Sequence, residues 1–344
     1  MAMFNNHYRQ VYLILGILLI LSFLFSLRYG AILISFDEII GSIKKSISSS
    51  DTPLLTERIF INIRLPRAIT CLLVGGSLAI AGVLMQALFR NPIVEPGLIG
   101  TSSGAAFGAS LYFVLGAVFK FHGGEWTLPF AAALGGALAT VLVFFLSFQK
   151  SALRRQSVVT LLLTGIAINA LFLSGVGLMS YLARDPQARS ITFWNLGTLS
   201  GANWNAVIFI AIACAVCLAL ALRKAKSLNA LMLGEEEAVN IGVDIKRLQW
   251  TILGINVILV ATATAFVGVI SFVGLIVPHL LRLMKSSDNR YLLIGSMMLG
   301  GILLTLADLT ARLLLAPAEL PIGIVTSVVG VPVFIFLLRK NQYY

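Results

Sequence analysis

Residues Val11–Leu27 read VYLILGILLILSFLFSL, with no charged side chain until Arg28-Tyr29-Gly30. A helix that crosses a bilayer needs about 20 apolar residues, and this run, flanked by Arg9 and Arg28, meets that need. No small-residue cleavage pattern follows it, and many further apolar runs do, so it reads as a first transmembrane helix rather than a leader. The same alternation of apolar run and charged or turn-rich break recurs to the C-terminal end. It predicts about ten helices, near 11–29, 66–89, 97–118, 127–148, 157–181, 204–222, 248–267, 271–285, 292–315 and 322–338. The eighth is short and contains Pro278.

Composition supports lipid as the solvent. Hydrophobic residues make up 58% of 344 positions and charged residues 11%, and the mean hydropathy is +0.96. A soluble globular chain carries roughly 25% charged residues, so this one lacks the polar surface to face water. The net charge of +11 does not point to nucleic acid, because basic cytoplasmic loops are the ordinary topology signal of membrane proteins. Placing the N-terminus in the cytoplasm puts about 15 of the 25 Lys and Arg on the inside, which predicts both termini there. Cys71, Cys214 and Cys217 all lie within apolar runs and read as small hydrophobes.

Two loops are too long to be simple turns. The outer one, 30–65, holds a possible amphipathic piece at Phe36–Ile43 and a Ser-rich stretch. The inner one, 223–247, mixes Leu and Met with charge at helical spacing and is interrupted by Gly234 and Gly242. It predicts two short helices joined by a sharp turn and held against something other than lipid. The ten spans also divide into two five-helix halves of opposite orientation. Each half contains a Pro- and Gly-broken apolar segment, Asn91–Gly97 and Ser271–His279. Inverted repeats with broken segments mark transporters, since unwound backbone at membrane depth is tolerated only inside protein or along a cavity.

Gly100, Gly104 and Gly108 recur every four residues, a spacing that brings helices into close contact. Arg64 and Arg67 lie at the outer mouth of the second helix, with Pro66 suited to its first turn. Arg312 lies at the outer end of the ninth, one turn after Asp308. Two readings of these arginines stand: they snorkel to lipid head groups, or they dock carboxylates of a soluble partner.

The stretch RLPRAI…GVLMQALFRNPIVEPGLIG (64–100) resembles the FecCD family, the permease subunits of bacterial importers for iron-siderophores, haem and vitamin B12. FVGLIVPHLLR (272–282) and ADLTAR…AELPIGIVT (307–326) are similar to the same family. The resemblance implies an all-α permease domain spanning 1–344, a homodimer with its path along the dimer axis. It also implies two cytoplasmic ATPase subunits and an extracytoplasmic binding protein, in a bacterial inner membrane. Carried over by position, Arg64, Arg67 and Arg312 match residues that dock the binding protein. The 228–245 segment, with Leu231, Gly234, Glu235, Glu236 and Gly242, matches the coupling helices that engage the ATPase. Asn91 and Ile93 match a cytoplasmic gate, and Ser157 falls near a second gate position.

The chain contains no Gly-Lys pair and so no phosphate-binding P-loop; energy must come from another subunit or an ion gradient. The gradient-driven alternative, a secondary transporter, has Asp308 as its one fair intramembrane carboxylate, and Arg312 lies one turn away to pair with it. An enzyme finds no support: no metal-ligand cluster, Ser/His/Asp set or paired carboxylates occur within the spans, and no cofactor is implied. The segment 189–204, RSITFWNLGTLSGANW, resembles the haem members of the family, with ferric siderophore or cobalamin as alternatives. The Pro278-His279 pair is common to members with other substrates, so His279 is not assigned as a haem ligand; His7 and His122 are poorer candidates.

Overall fold

The apolar runs fold into helices, and among the described residues no strand occurs. The structure, a computed structural model, describes residues 2–30, 32–35, 37–42, 55–120, 123–147, 158–284 and 286–341. In chain order the helices are α1 (Ala2–Arg28), α2 (37–42), α3 (Leu55–Ile59), α4 (Leu65–Leu88), α5 (Thr101–Val118), α6 (Thr127–Ser147) and α7 (Val158–Leu182). There follow α8 (Asp185–Asn195), α9 (Trp204–Leu233), α10 (Glu235–Asn240), α11 (Ile245–Val267), α12 (Val273–Leu283), α13 (Asn289–Leu314) and α14 (Ile322–Asn341). Among the described residues eight helical segments are long and apolar enough to cross a membrane, and two shorter apolar helices, Val273–Leu283 and Ile322–Leu337, accompany them. The chain is an all-α, multi-pass membrane protein.

Helix α4 is the central post. Nearly all its side chains are buried, and α13, α9, α11 and α12 surround it. Lipid supplies no hydrophobic force between helices, so close packing of small residues must hold them together. A Cβ on Gly75 would collide with the Gly300 carbonyl of α13, and one on Gly300 with the Gly75 carbonyl. A second set joins α5 to α6: Gly104 faces the Gly135 carbonyl and Gly108 the Ala131 carbonyl, as the four-residue spacing predicts. Helix α11 bridges the two groups, touching α4 and α9 on one side and α5 and α6 on the other.

Several boundaries differ from the sequence expectations. The second span starts at Leu55, not 66, and runs through a π-helical turn at Phe60–Arg64, where Leu65 N–H bonds to the Phe60 carbonyl. Widening the helix just ahead of Pro66 accommodates a residue with no N–H and a ring that clashes with the preceding turn. Helix α9 continues as one helix to Leu233, so the first of the two expected short helices in the inner loop is its extension. Helix α8 had no counterpart in the reading of apolar runs. Of the amphipathic piece at 36–43, residues 37–42 form α2, and Phe36 and Ile43 lie outside the described residues.

Candidate functional site

Both broken segments leave the helical ladder and meet each other. After α4, Arg90 takes a left-handed turn (φ 50°), Asn91 Oδ1 accepts from Ile93 N–H at 3.0 Å, and a short 3-10 turn at Pro96–Ile99 leads into α5. After α11, the chain turns at Gly268 and again at left-handed Phe272 before α12 begins. The freed backbone groups find partners across the crossing. Glu95 Oε1 accepts from Phe272 N–H at 3.3 Å, and Gln86 Nε2 donates to the carbonyls of Gly274 (3.3 Å) and Leu275 (3.1 Å). Asn256 Nδ2 donates to the Pro96 carbonyl at 3.2 Å, and Asn169 Nδ2 to the Leu98 carbonyl at 2.9 Å. Unsatisfied backbone in this setting would cost several kcal/mol per group (~1–3 from protein mutants), which is why side-chain amides gather here.

Beside this crossing lies a cavity of about 420 Å³, lined on its polar wall by Glu95, Ser102, Ser103, Asn169, Asn195 and Ser271. Ser103 donates to Asn169 Oδ1 at 2.6 Å, fixing that amide's orientation. Hydroxyls, amides and one carboxyl make up this wall, and each can hydrogen-bond.

The 228–245 segment forms a sharp elbow between α9 and α11. Gly234 (φ 145°) ends α9, and a Cβ there would strike the Glu237 carboxylate. Gly242 (φ 88°) ends α10 in a Schellman turn, with Val243 N–H to the Ala238 carbonyl at 2.9 Å and Gly242 N–H to the Val239 carbonyl at 2.8 Å. Asp244 then caps α11 by accepting from Arg247 N–H at 3.0 Å. Leu231 is buried, Glu236 is exposed, and Glu235 pairs with Arg90 at 3.1 Å, tying the elbow to the connector that carries Asn91 and Ile93. Leu233, Val239 and Ile241 stand 57–73% exposed on the same elbow; the sequence pattern does not single them out. At its root, Asn229 donates to Asp288 at 3.0 Å and accepts from Asn289 Nδ2 at 2.7 Å, anchoring α9 to the start of α13.

Arg64, Arg67 and Arg312 do not project freely. They are only 6–8% exposed. Arg64 Nη1 donates to the carbonyls of Leu27 (2.9 Å) and Arg28 (2.8 Å), and Nη2 to that of Ile32. Arg67 donates through Nε (3.1 Å) and Nη2 (2.8 Å) to Asp308 Oδ1, and through Nη1 to both oxygens of Glu319 at 2.8 and 3.0 Å. Arg312 Nη2 donates to Ser26 Oγ at 2.9 Å, and its Nε lies 2.9 Å from Asp308 Oδ2, an ion pair outside hydrogen-bond angles. Snorkelling into lipid is therefore excluded for all three. Asp308 holds two guanidinium groups, which removes it as the free intramembrane carboxylate of a gradient-driven carrier. Ser157 and His122 lie outside the described residues.

Unwound segments that meet beside a polar cavity inside a many-helix membrane protein are a feature of transporters. The chain belongs to the FecCD transport family, whose model matches residues 18–340. It is thus a permease subunit of an ABC importer, a transport chain and not an enzyme. It is 37% identical to the hemin transport system permease protein HmuU of Yersinia pestis over 97% of both chains. It is 33% identical to the molybdate import system permease protein MolB of Haemophilus influenzae, again over 97% of both. A solved structure of a metal-chelate-type ABC transporter in an inward-facing conformation matches with a TM-score of 0.84 at 32% identity, covering 96% of this chain and 99% of that one.

Proposed function

We propose that this chain is the membrane subunit of an ATP-driven importer of haem, acting as a homodimer with two cytoplasmic ATPase subunits and an extracytoplasmic binding protein. On this reading α12 and α14 complete ten crossings in two inverted five-helix halves, with both termini in the cytoplasm of a bacterial inner membrane. The 228–245 elbow receives the ATPase: Leu233, Val239 and Ile241 offer apolar contact, and Glu236 offers charge. Its motion reaches the Asn91–Ile93 gate through Glu235 and Arg90. The wall of Glu95, Ser102, Asn169 and Ser271 gives a passing cargo only weak, replaceable hydrogen bonds, which suits conduction better than storage.

The observation that carries the choice of cargo is on α8. Phe193 is 44% exposed, and the Arg189 guanidinium lies over its ring, 5.7 Å from the centroid. A flat apolar ring beside a fixed positive charge suits a planar macrocycle that bears carboxylates. Trp194, by contrast, is buried, and Trp204, though 38% exposed, is tied down through Nε1, which donates to the Ile61 carbonyl at 3.1 Å. The 37% identity with a hemin permease agrees; the molybdate relative at 33% means that identity alone does not choose. The test is ATP-dependent uptake into proteoliposomes holding this chain with its ATPase and binding protein, comparing haem, a ferric siderophore and cobalamin. Haem uptake that stops without ATP is the expected result. Uptake of another cargo in preference overturns the haem assignment, and uptake by the chain alone on an ion gradient overturns the ATPase.

A further inference from the structure

Within the outer arginine cluster the two carboxylates are not equivalent. Asp308 is 1% exposed and takes the Nε/Nη2 edge of Arg67. Glu319 is 41% exposed and touches only Nη1, with both of its oxygens on that one nitrogen. It stands in the non-helical link between α13 and α14, whose neighbours Leu314 and Leu315 are also exposed. The way from the outer surface to Arg67 therefore passes the Glu319 carboxylate. Two guanidinium groups, those of Arg67 and Arg312, meet these two carboxylates, and moving Glu319 aside leaves Arg67 with a free donor position and the cluster with a further unit of positive charge. A carboxylate from outside can take the Nη1 position with the geometry that Glu319 has now.

We infer that Glu319 is an internal stand-in for a partner's carboxylate, covering Arg67 until an acidic side chain of the soluble binding protein displaces it. This rests on the docking reading of the outer face and deepens it. Of the three arginines, Arg67 becomes the one a partner reaches, while Arg64 and Arg312 hold the end of α1 to α4 and α13. Competition of this kind makes docking weaker than bare charge would give, and so reversible, as a delivery cycle requires.

The experiment uses the assembled transporter in nanodiscs and its binding protein, with affinity read by biolayer interferometry for wild type, Glu319→Gln and Glu319→Ala. Both variants bind about three- to tenfold more tightly, the change that ~0.7–1.4 kcal/mol represents. Unchanged or weaker binding overturns the inference. A second readout needs no partner: p-hydroxyphenylglyoxal, an arginine reagent, labels Arg67 several-fold faster in Glu319→Gln while Arg64 labelling stays constant. No change in Arg67 labelling also overturns the inference. Faster labelling with no change in affinity shows that Glu319 covers Arg67 but that no partner uses it, and then the docking reading fails.

Discussion

Replacing Asp308 by asparagine removes one negative charge from between two guanidinium groups with almost no change in shape. The side chain of Asp308 is 1% exposed, that of Arg67 10% and that of Arg312 7%, so the three form a nearly solvent-free unit. Breaking a buried ion pair by deleting one partner costs roughly 3–5 kcal/mol, because the remaining charge stays desolvated. Asparagine keeps an oxygen able to accept from Arg67, which places Asp308→Asn near the lower figure, about 3 kcal/mol, and Asp308→Ala, which leaves a cavity as well, nearer 5 kcal/mol. Glu319→Gln is the internal control: as a half-exposed pair it is worth about 1 kcal/mol or less. The measurement is unfolding of the purified chain in detergent, followed by denaturant or heat, with monodispersity checked by gel filtration. A loss under about 0.5 kcal/mol for Asp308→Asn refutes the reasoning, since it means that the arginines keep their positions without that charge.

The other expectations concern the elbow, the packing and the outer loop. Gly234→Ala and Gly242→Ala force a side chain into left-handed or extended positive-φ backbone at a cost of about 1–3 kcal/mol each; ATP hydrolysis continues while transport per ATP falls, and unchanged coupling argues against the elbow as the ATPase contact. Gly300→Ala drives a methyl into the Gly75 backbone and costs about 1–3 kcal/mol, seen as lower yield and earlier unfolding than for Gly254→Ala, where nothing lies nearby. Glu38 accepts from the Ser35 N–H and hydroxyl at 2.7 and 2.9 Å, and these bonds hold its carboxyl below the ordinary value. A lowered folded-state value means that the stabilisation of α2 is present at neutral pH and is lost as pH falls through that lowered value. Amide exchange over 37–42, corrected for intrinsic rates, should thus quicken in acid for wild type but show no such step for Glu38→Gln.

How much was legible in the sequence depended on how local the cause was. Spans follow from run length, and the α5–α6 contact follows from Gly104 and Gly108, because both causes are local. The elbow was legible too, since Gly234 and Gly242 punctuate it. The arginines were legible only in part: the pairing of Arg312 with Asp308 follows from their one-turn spacing, but Arg67 meets Asp308 across 241 positions and Glu319 across 252. Pairings of that separation leave no periodic trace. Helix α8 was missed because its mixed polarity makes no apolar run, although Asp185-Pro186 is a helix-start signal. The extent of α9 was missed because a charged cluster at Arg223–Lys226 was read as a break, whereas Lys, Leu and Ala continue a helix readily.

The crossing at Glu95, Pro96, Phe272 and Gly274 has a mechanical consequence. Two strips of chain that lie far apart in sequence share their hydrogen bonds here, so neither can shift without stranding the other's polar groups in an oily interior. A wall built this way moves as a geared pair. If the elbow drives this connector through Arg90, as proposed, the root of α12 moves in the same stroke, and the passage opens as one event instead of leaking from one side.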